Sequence, residues 1–224
     1  MSRTRNAARA LSLVLISLIL PFVLRGPALA GPVRISEILV NPEGTDNGKT
    51  FVELYGPAGT SLADYTIVGV DGGTGTIYLT ADLSGFVIAA GGVFVIADAA
   101  GGVTSVPSAD AVFESFDPQN GPDSIQLRLA GVIVDAIGYG EFSAAVFAGE
   151  GTPVGTPPSG ASWARRFADV DTDDNAADFL LLTTPTPGTA PLSSGSPVPE
   201  PSSILLLGAG LLSLAARCRR PRAR

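Results

Sequence analysis

The chain has 224 residues with 14 basic and 21 acidic side chains, a net charge of −7, yet both ends are basic and residues 31–197 hold 5 basic against 20 acidic residues, a local net of −15. A segment that acidic is repelled by phosphate backbones, so groove binding to nucleic acid is not expected. With no His and a single Cys, Cys218, the inventory excludes Ser-His-Asp and Cys-His catalysis, zinc or haem sites that need those side chains, and any intrachain disulfide.

At the N-terminus, Arg3, Arg5 and Arg9 precede an apolar run from Leu11 to Leu20 that continues to Leu24, and small residues follow at Ala28-Leu29-Ala30. This pattern reads as a secretory signal peptide over residues 1–30, cut after Ala30 by signal peptidase. Pro21 interrupts the run and argues against a permanent membrane helix.

Residues 31–192 read as one domain, large enough to bury roughly two-thirds of its unfolded surface. Short β candidates follow one another: Val33 to Val40 with a turn at Asn41-Pro42-Glu43-Gly44, Phe51 to Tyr55 with Val52 and Leu54 on one face, Tyr65 to Val70, Thr76 to Leu79, and Phe86 to Ile88. The continuous apolar run Val93 to Ile96 predicts a strand covered on both faces. Ile125, Leu127 and Leu129 alternate with Gln126 and Arg128, and Ala130-Gly131 then predicts a two-residue hairpin into Val132 and Val134. About eight short strands with turn signals between them predict an all-β fold, an antiparallel sandwich, with a last strand around Phe179 to Leu182.

Just before that strand, Asp169, Asp171, Asp173, Asp174 and Asp178 place five carboxylates in ten positions. Calcium takes six to eight hard oxygens, so the cluster is the candidate metal site. The EF-hand template fails, because counting from Asp169 puts Asp174 at the glycine position and Leu180 at the bidentate Glu position. The favoured reading is a solvated loop whose Asp residues accept backbone hydrogen bonds, with no cofactor required. Glu37 and Glu53 form a candidate carboxylate pair, the arrangement a glycosidase uses, set against the simpler reading of strand residues pairing across a sheet with Arg34, Lys49 or Arg128. Trp163, Phe167, Tyr55, Tyr65 and Tyr139 could stack on sugars if exposed; a lone Trp is more often buried, and Arg165-Arg166 beside it would offset the acidic loop.

Residues 193–197 read as a Ser/Pro linker. Beyond it, Val198, Pro199, Glu200 and Pro201 precede an apolar stretch to Ala216, followed by Arg217, Arg219, Arg220, Arg222 and Arg224. From Ser202 the stretch counts 15 residues, short of the ~20 that cross a bilayer comfortably, though flanking residues extend its reach. It reads as a short transmembrane helix, and the membrane-flanking arginines would hold its end in the cytoplasm. Cys218 then sits on the cytoplasmic side, where it reads as incidental and not catalytic, with juxtamembrane palmitoylation as the alternative.

The order Pro-Glu-Pro, apolar helix, Arg cluster over residues 198–224 resembles the PEP-CTERM sorting signal of Gram-negative, exopolysaccharide-producing bacteria. The resemblance implies recognition of Val198, Pro199, Glu200 and Pro201 by an exosortase in the inner membrane, which removes the helix. A second resemblance runs through the domain: RISEILVNPEG at Arg34 to Gly44, FVELYGP at Phe51 to Pro57, SLADYTI at Ser61 to Ile67, Asp135 to Tyr139, SWARR at Ser162 to Arg166, and DTDDNAADF with TPTPG up to Gly188 are similar to successive blocks of the bacterial lamin tail domain. That family implies an immunoglobulin-like β-sandwich used for binding or attachment, with no catalytic residues to carry over. The Gly-, Ala- and Pro-rich loop from Ser143 to Gly160 departs from its pattern.

Together these readings predict an exported, non-enzymatic protein, anchored in the inner membrane before processing and left at the cell surface or in exopolysaccharide. Its expected partners are signal peptidase, exosortase, the membrane and exopolysaccharide or cell-surface components. The alternatives are an accessory module for an exported nuclease or hydrolase, and a carboxylate-dependent hydrolase using Glu37 and Glu53.

Overall fold

Short apolar runs separated by glycine turns become strands because each can bury a face while pairing its backbone with a neighbour. The computed structural model describes residues 32–143 and 146–193. The predicted signal peptide, the sorting residues Val198 to Pro201, the apolar stretch after them and Arg217, Arg219 and Arg220 all lie outside the described residues. Among the described residues no helix is long and apolar enough to cross a membrane.

The strands are β1 (Arg34–Leu39), β2 (Phe51–Tyr55), β3 (Tyr65–Asp71), β4 (Ile77–Asp82), β5 (Val93–Ala99), β6 (Ala111–Glu114), β7 (Asp123–Leu129), β8 (Val132–Tyr139), β9 (Ser162–Arg165) and β10 (Phe179–Leu182), with a one-turn helix α1 (Asn175–Asp178) before the last. They form a six-stranded sheet, order β10-β9-β1-β2-β5-β6, and a four-stranded sheet, order β4-β3-β7-β8. The expected all-β, two-sheet architecture is what the chain adopts. Every pairing is antiparallel except β5 with β6, which is parallel.

The core lies between the sheets, where Ile35, Ile38, Val52, Leu54, Phe94 and Ile96 from the larger sheet meet Ile67, Leu79, Ile125, Leu127, Ile137 and Tyr139 from the smaller. A second cluster of Leu39, Phe51, Val95, Ala97 and Val106 covers part of the other face of the larger sheet. This explains why the Val93 to Ile96 run carries no polar alternation: both faces of β5 are covered. The β7–β8 hairpin turns on Ala130 and Gly131, with φ of 48° and 82°. Positive φ at both central residues is the turn geometry that matches strand twist.

One expectation about strands needs correcting, and two strands arise without a pattern that predicts them. Phe86 to Ile88 is not a strand of either sheet; it makes an isolated bridge between Val87 and Ser61, with Leu62 N–H donating to the Phe86 carbonyl and Ile88 N–H to that of Thr60. Gly85 and Gly92, both at positive φ, turn the chain on either side and leave too few residues for a ladder. Conversely β6 and β9 are strands of only four residues. β6 lies at a sheet edge and β9 acquires its pairing from β1 and β10, so neither needs a long apolar pattern of its own.

Candidate functional site

The sharpest concentration of charge is built where β1, β8, β9 and the acidic segment after β9 meet. Arg165, at the end of β9, has a side chain with 0% exposure. Its guanidinium pairs with Asp135 of β8 at 2.8 Å, with Asp178 of α1 at 3.0 Å and with Asp171 at 3.3 Å. It also donates to the carbonyls of Ile35 at 3.0 Å and Val170 at 3.2 Å, and lies 4.6 Å from the ring centroid of Phe179. Every donor is thereby used, as a buried cation requires.

The five aspartates of the acidic segment do not converge on one point. Asp169 accepts from the N–H and hydroxyl of Ser193 at 2.8 and 2.6 Å. Asp171 bridges Arg34 and Arg165, and also accepts from the N–H of Asp173, which sits at φ 55°. Asp174 caps α1 by accepting from Ala176 N–H, and Asp178 accepts from the N–H and hydroxyl of Thr172. These are the turn and capping roles that Asp takes when its carboxylate competes for nearby backbone N–H groups.

One of the five does join a carboxylate group. Asp135, Glu150 and Asp171 each bring an oxygen within 4.8 Å of the other two. Three hard oxygens could hold a divalent cation, but Asp135 is already committed to Arg165 and to the N–H of Ile35 at 2.5 Å. A proton fits the group better. Burial pushes Glu150 up to about 8, with the charges of Asp135 and Asp171 adding to it, so Glu150 is mostly neutral at pH 7. Burial likewise raises Asp135 to about 6 despite Arg165. Burial also acts upward on Asp171, but Arg165, the Asp173 N–H and Arg34 outweigh it and hold that carboxyl below its ordinary range.

Asn175 fastens the group to the smaller sheet. Fully buried, it donates to the Ala136 carbonyl at 2.7 Å and accepts from the N–H groups of Gly138 at 2.8 Å and Glu150 at 3.0 Å. Asn175→Ala strands those partners without a polar atom, and each unsatisfied buried group costs about 1–3 kcal/mol. Thermal melting of the variant should fall by roughly 10 °C; a change under about 2 °C would show that the amide is dispensable.

Glu37 and Glu53 are direct neighbours across β1 and β2, and a register shift between Ile35 and Glu37 turns Ser36 and Glu37 toward one face. They are 1% and 0% exposed. Glu37 accepts from the Ser162 hydroxyl at 2.6 Å and from the N–H and hydroxyl of Thr186, both at 2.9 Å. Glu53 accepts from the Ser36 hydroxyl and from Gly188 N–H, each at 2.6 Å. The pair therefore pins the Thr186 to Gly188 segment onto the sheet and turns no oxygen to solvent. It does not pair with Arg34, Lys49 or Arg128. Burial, offset by the Ser36 and Gly188 hydrogen bonds and reinforced by Glu37, raises Glu53 to about 7.

Of the aromatic candidates, Tyr139 is fully buried and donates to the Gln119 carbonyl, while Tyr55 and Tyr65 are half-buried. Trp163 is partly buried against the core and donates to the Gly155 carbonyl, and Phe167 is exposed. Arg166 is exposed, so the two neighbouring arginines divide between surface and interior. Asp135 and Glu150 are not among the candidate site residues of the sequence. A signal for Asp135 was present: it is the one charged residue in the apolar run Val132 to Tyr139.

Residues 197–220 match the PEP-CTERM protein-sorting motif. No curated protein matches the chain.

Proposed function

We propose that the chain is an exported, non-enzymatic envelope protein whose β-sandwich serves as a binding or attachment module at the cell surface or in exopolysaccharide. The observation that carries this reading is the sorting motif at residues 197–220, the mark of an exported exosortase substrate. The body supports it in two ways. Asp135 is fully buried against Arg165, and Glu37 and Glu53 are held by hydrogen bonds to Ser162, Thr186, Ser36 and Gly188, as in a structural network. Its two stacked sheets fit the immunoglobulin-like sandwich implied by the lamin-tail blocks, five of which overlap β1, β2, β3, β8 and β9.

The test is mass measurement of the protein from cells with and without exosortase. With the enzyme, the product should begin at Gly31 and lack the apolar stretch and arginines that follow Pro201. Without it, those residues should remain on the protein. The same C-terminal mass in both strains would sink the reading.

A further inference from the structure

At the end of the sandwich away from Arg165, a cavity of about 230 Å³ opens between the turn before β2 and the ends of β5 and β6, and Asn47, Asp98, Glu114, Ser115 and Asp117 contribute to its lining. We propose that this cavity is a binding site for a divalent cation with a preference for hard oxygen ligands, Ca²⁺ foremost, and that Asp98 is its anchoring ligand.

Two independent observations carry the assignment. The first is the state of Asp98 itself, which is 3% exposed. One carboxylate oxygen accepts from Gly48 N–H at 2.6 Å, but the other, Oδ1, is buried without a hydrogen-bond partner. An unmatched buried oxygen of this kind costs free energy that a bound cation would recover. The second is the company it keeps. Glu114 and Asp117 share the cavity with it, and no basic side chain is among the lining residues. The Arg165 centre offers the contrast: there a guanidinium supplies the positive charge, and here nothing in the lining does.

The donor chemistry fits calcium. Carboxylates, the Asn47 amide oxygen and the Ser115 hydroxyl are all hard oxygens, and they come from turns and strand ends, which suits the irregular coordination of Ca²⁺ better than the strict octahedron of Mg²⁺. Glu114 is steadied by accepting from the N–H groups of Gly101 and Gly102. Ser115, at φ 61°, turns the chain between Glu114 and Asp117. Affinity in the range of extracellular modules, about 0.1–1 mM, is expected for a site of this charge.

The experiment is thermal melting and calorimetric titration of the full-length chain with Ca²⁺, with Mg²⁺ and with chelator. Ca²⁺ at about 10 mM should raise the melting temperature by several degrees, because ligand binding to the folded state adds to its stability. Mg²⁺ should give less than half that shift. Asp98→Asn keeps the shape of the side chain and should weaken Ca²⁺ binding at least ~10-fold; Asp117→Asn, at an exposed position where folding is not at stake, should do the same. Glu150→Gln, in the other carboxylate group, should leave the Ca²⁺ shift intact. A shift under about 1 °C, or one lost in Glu150→Gln and kept in Asp117→Asn, would overturn the assignment.

Discussion

Replacing Arg165 by Met is expected to cost about 3–5 kcal/mol, the range found when one partner of a buried ion pair is removed. The side chain has 0% exposure and meets Asp135, also at 0%, and Asp178 at 3%. Methionine fills much of the same volume above Phe179 but leaves two buried carboxylates without their cation. Chemical denaturation of the full-length chain should therefore show a midpoint well below that of the wild type. The deficit should shrink at pH 5, where Asp135 can take up a proton, and adding Asp135→Asn should recover part of it. A loss under 1 kcal/mol, or one indifferent to pH, would mean the network is solvated and contributes little.

Stability should also fall as pH rises from about 5 to 8.5, and Glu53, the most deeply buried of the raised Glu carboxyls, should account for a large share. Its folded pKa, about 7, lies above the ordinary 4.5. A carboxyl raised in this way contributes fully below pH 4.5, and that contribution is lost as pH climbs through 7. At about 1.4 kcal/mol per unit the loss approaches about 3 kcal/mol. Asp135, at about 6, and Glu150, at about 8, act with the same sign in the same window. Asp71, Asp82 and Asp171 are lowered instead and act only at more acid pH. Glu53→Gln keeps an acceptor for Gly188 and a partner for Ser36 while removing the charge. At pH 8.5 the variant should melt roughly 8 °C above the wild type, and at pH 5 the two should nearly coincide. Parallel melting curves across that range would show that Glu53 does not titrate there.

The elements that announced themselves were those whose burial is local. β2, β7 and β8 alternate or run apolar because their own residues face the core, and the Ala130-Gly131 hairpin needs only its two turn residues. β6 is a parallel edge strand with one partner and carries no pattern of its own, while the apolar Phe86 to Ile88 makes a single isolated bridge and no strand. The sites were harder to read for the same reason. Asp135 meets Arg165 across 30 positions and Ile35 N–H across 100. The aspartates of the acidic segment are close in sequence and were read as one group, yet caps, turns and Arg165 divide them. What the sequence did display was a lone Asp inside an apolar strand, at Asp135 and again at Asp98 in Val93 to Ala99.

The hydrogen bonds from Ser193 to Asp169 give the molecule a top and a bottom. Ser193 is five residues before Val198, a leash that can span no more than about 18 Å. Asp169 lies at the Arg34 and Tyr55 margin of the larger sheet, since its charge acts on Tyr55 and its neighbour Asp171 pairs with Arg34. Tyr55 is opposite Val93, the first residue of β5, and Asp98 is near the last. A protein held at its C-terminal side would thus stand with Arg165 toward the point of attachment and the Asp98 mouth roughly 17 Å further out, facing whatever the environment brings.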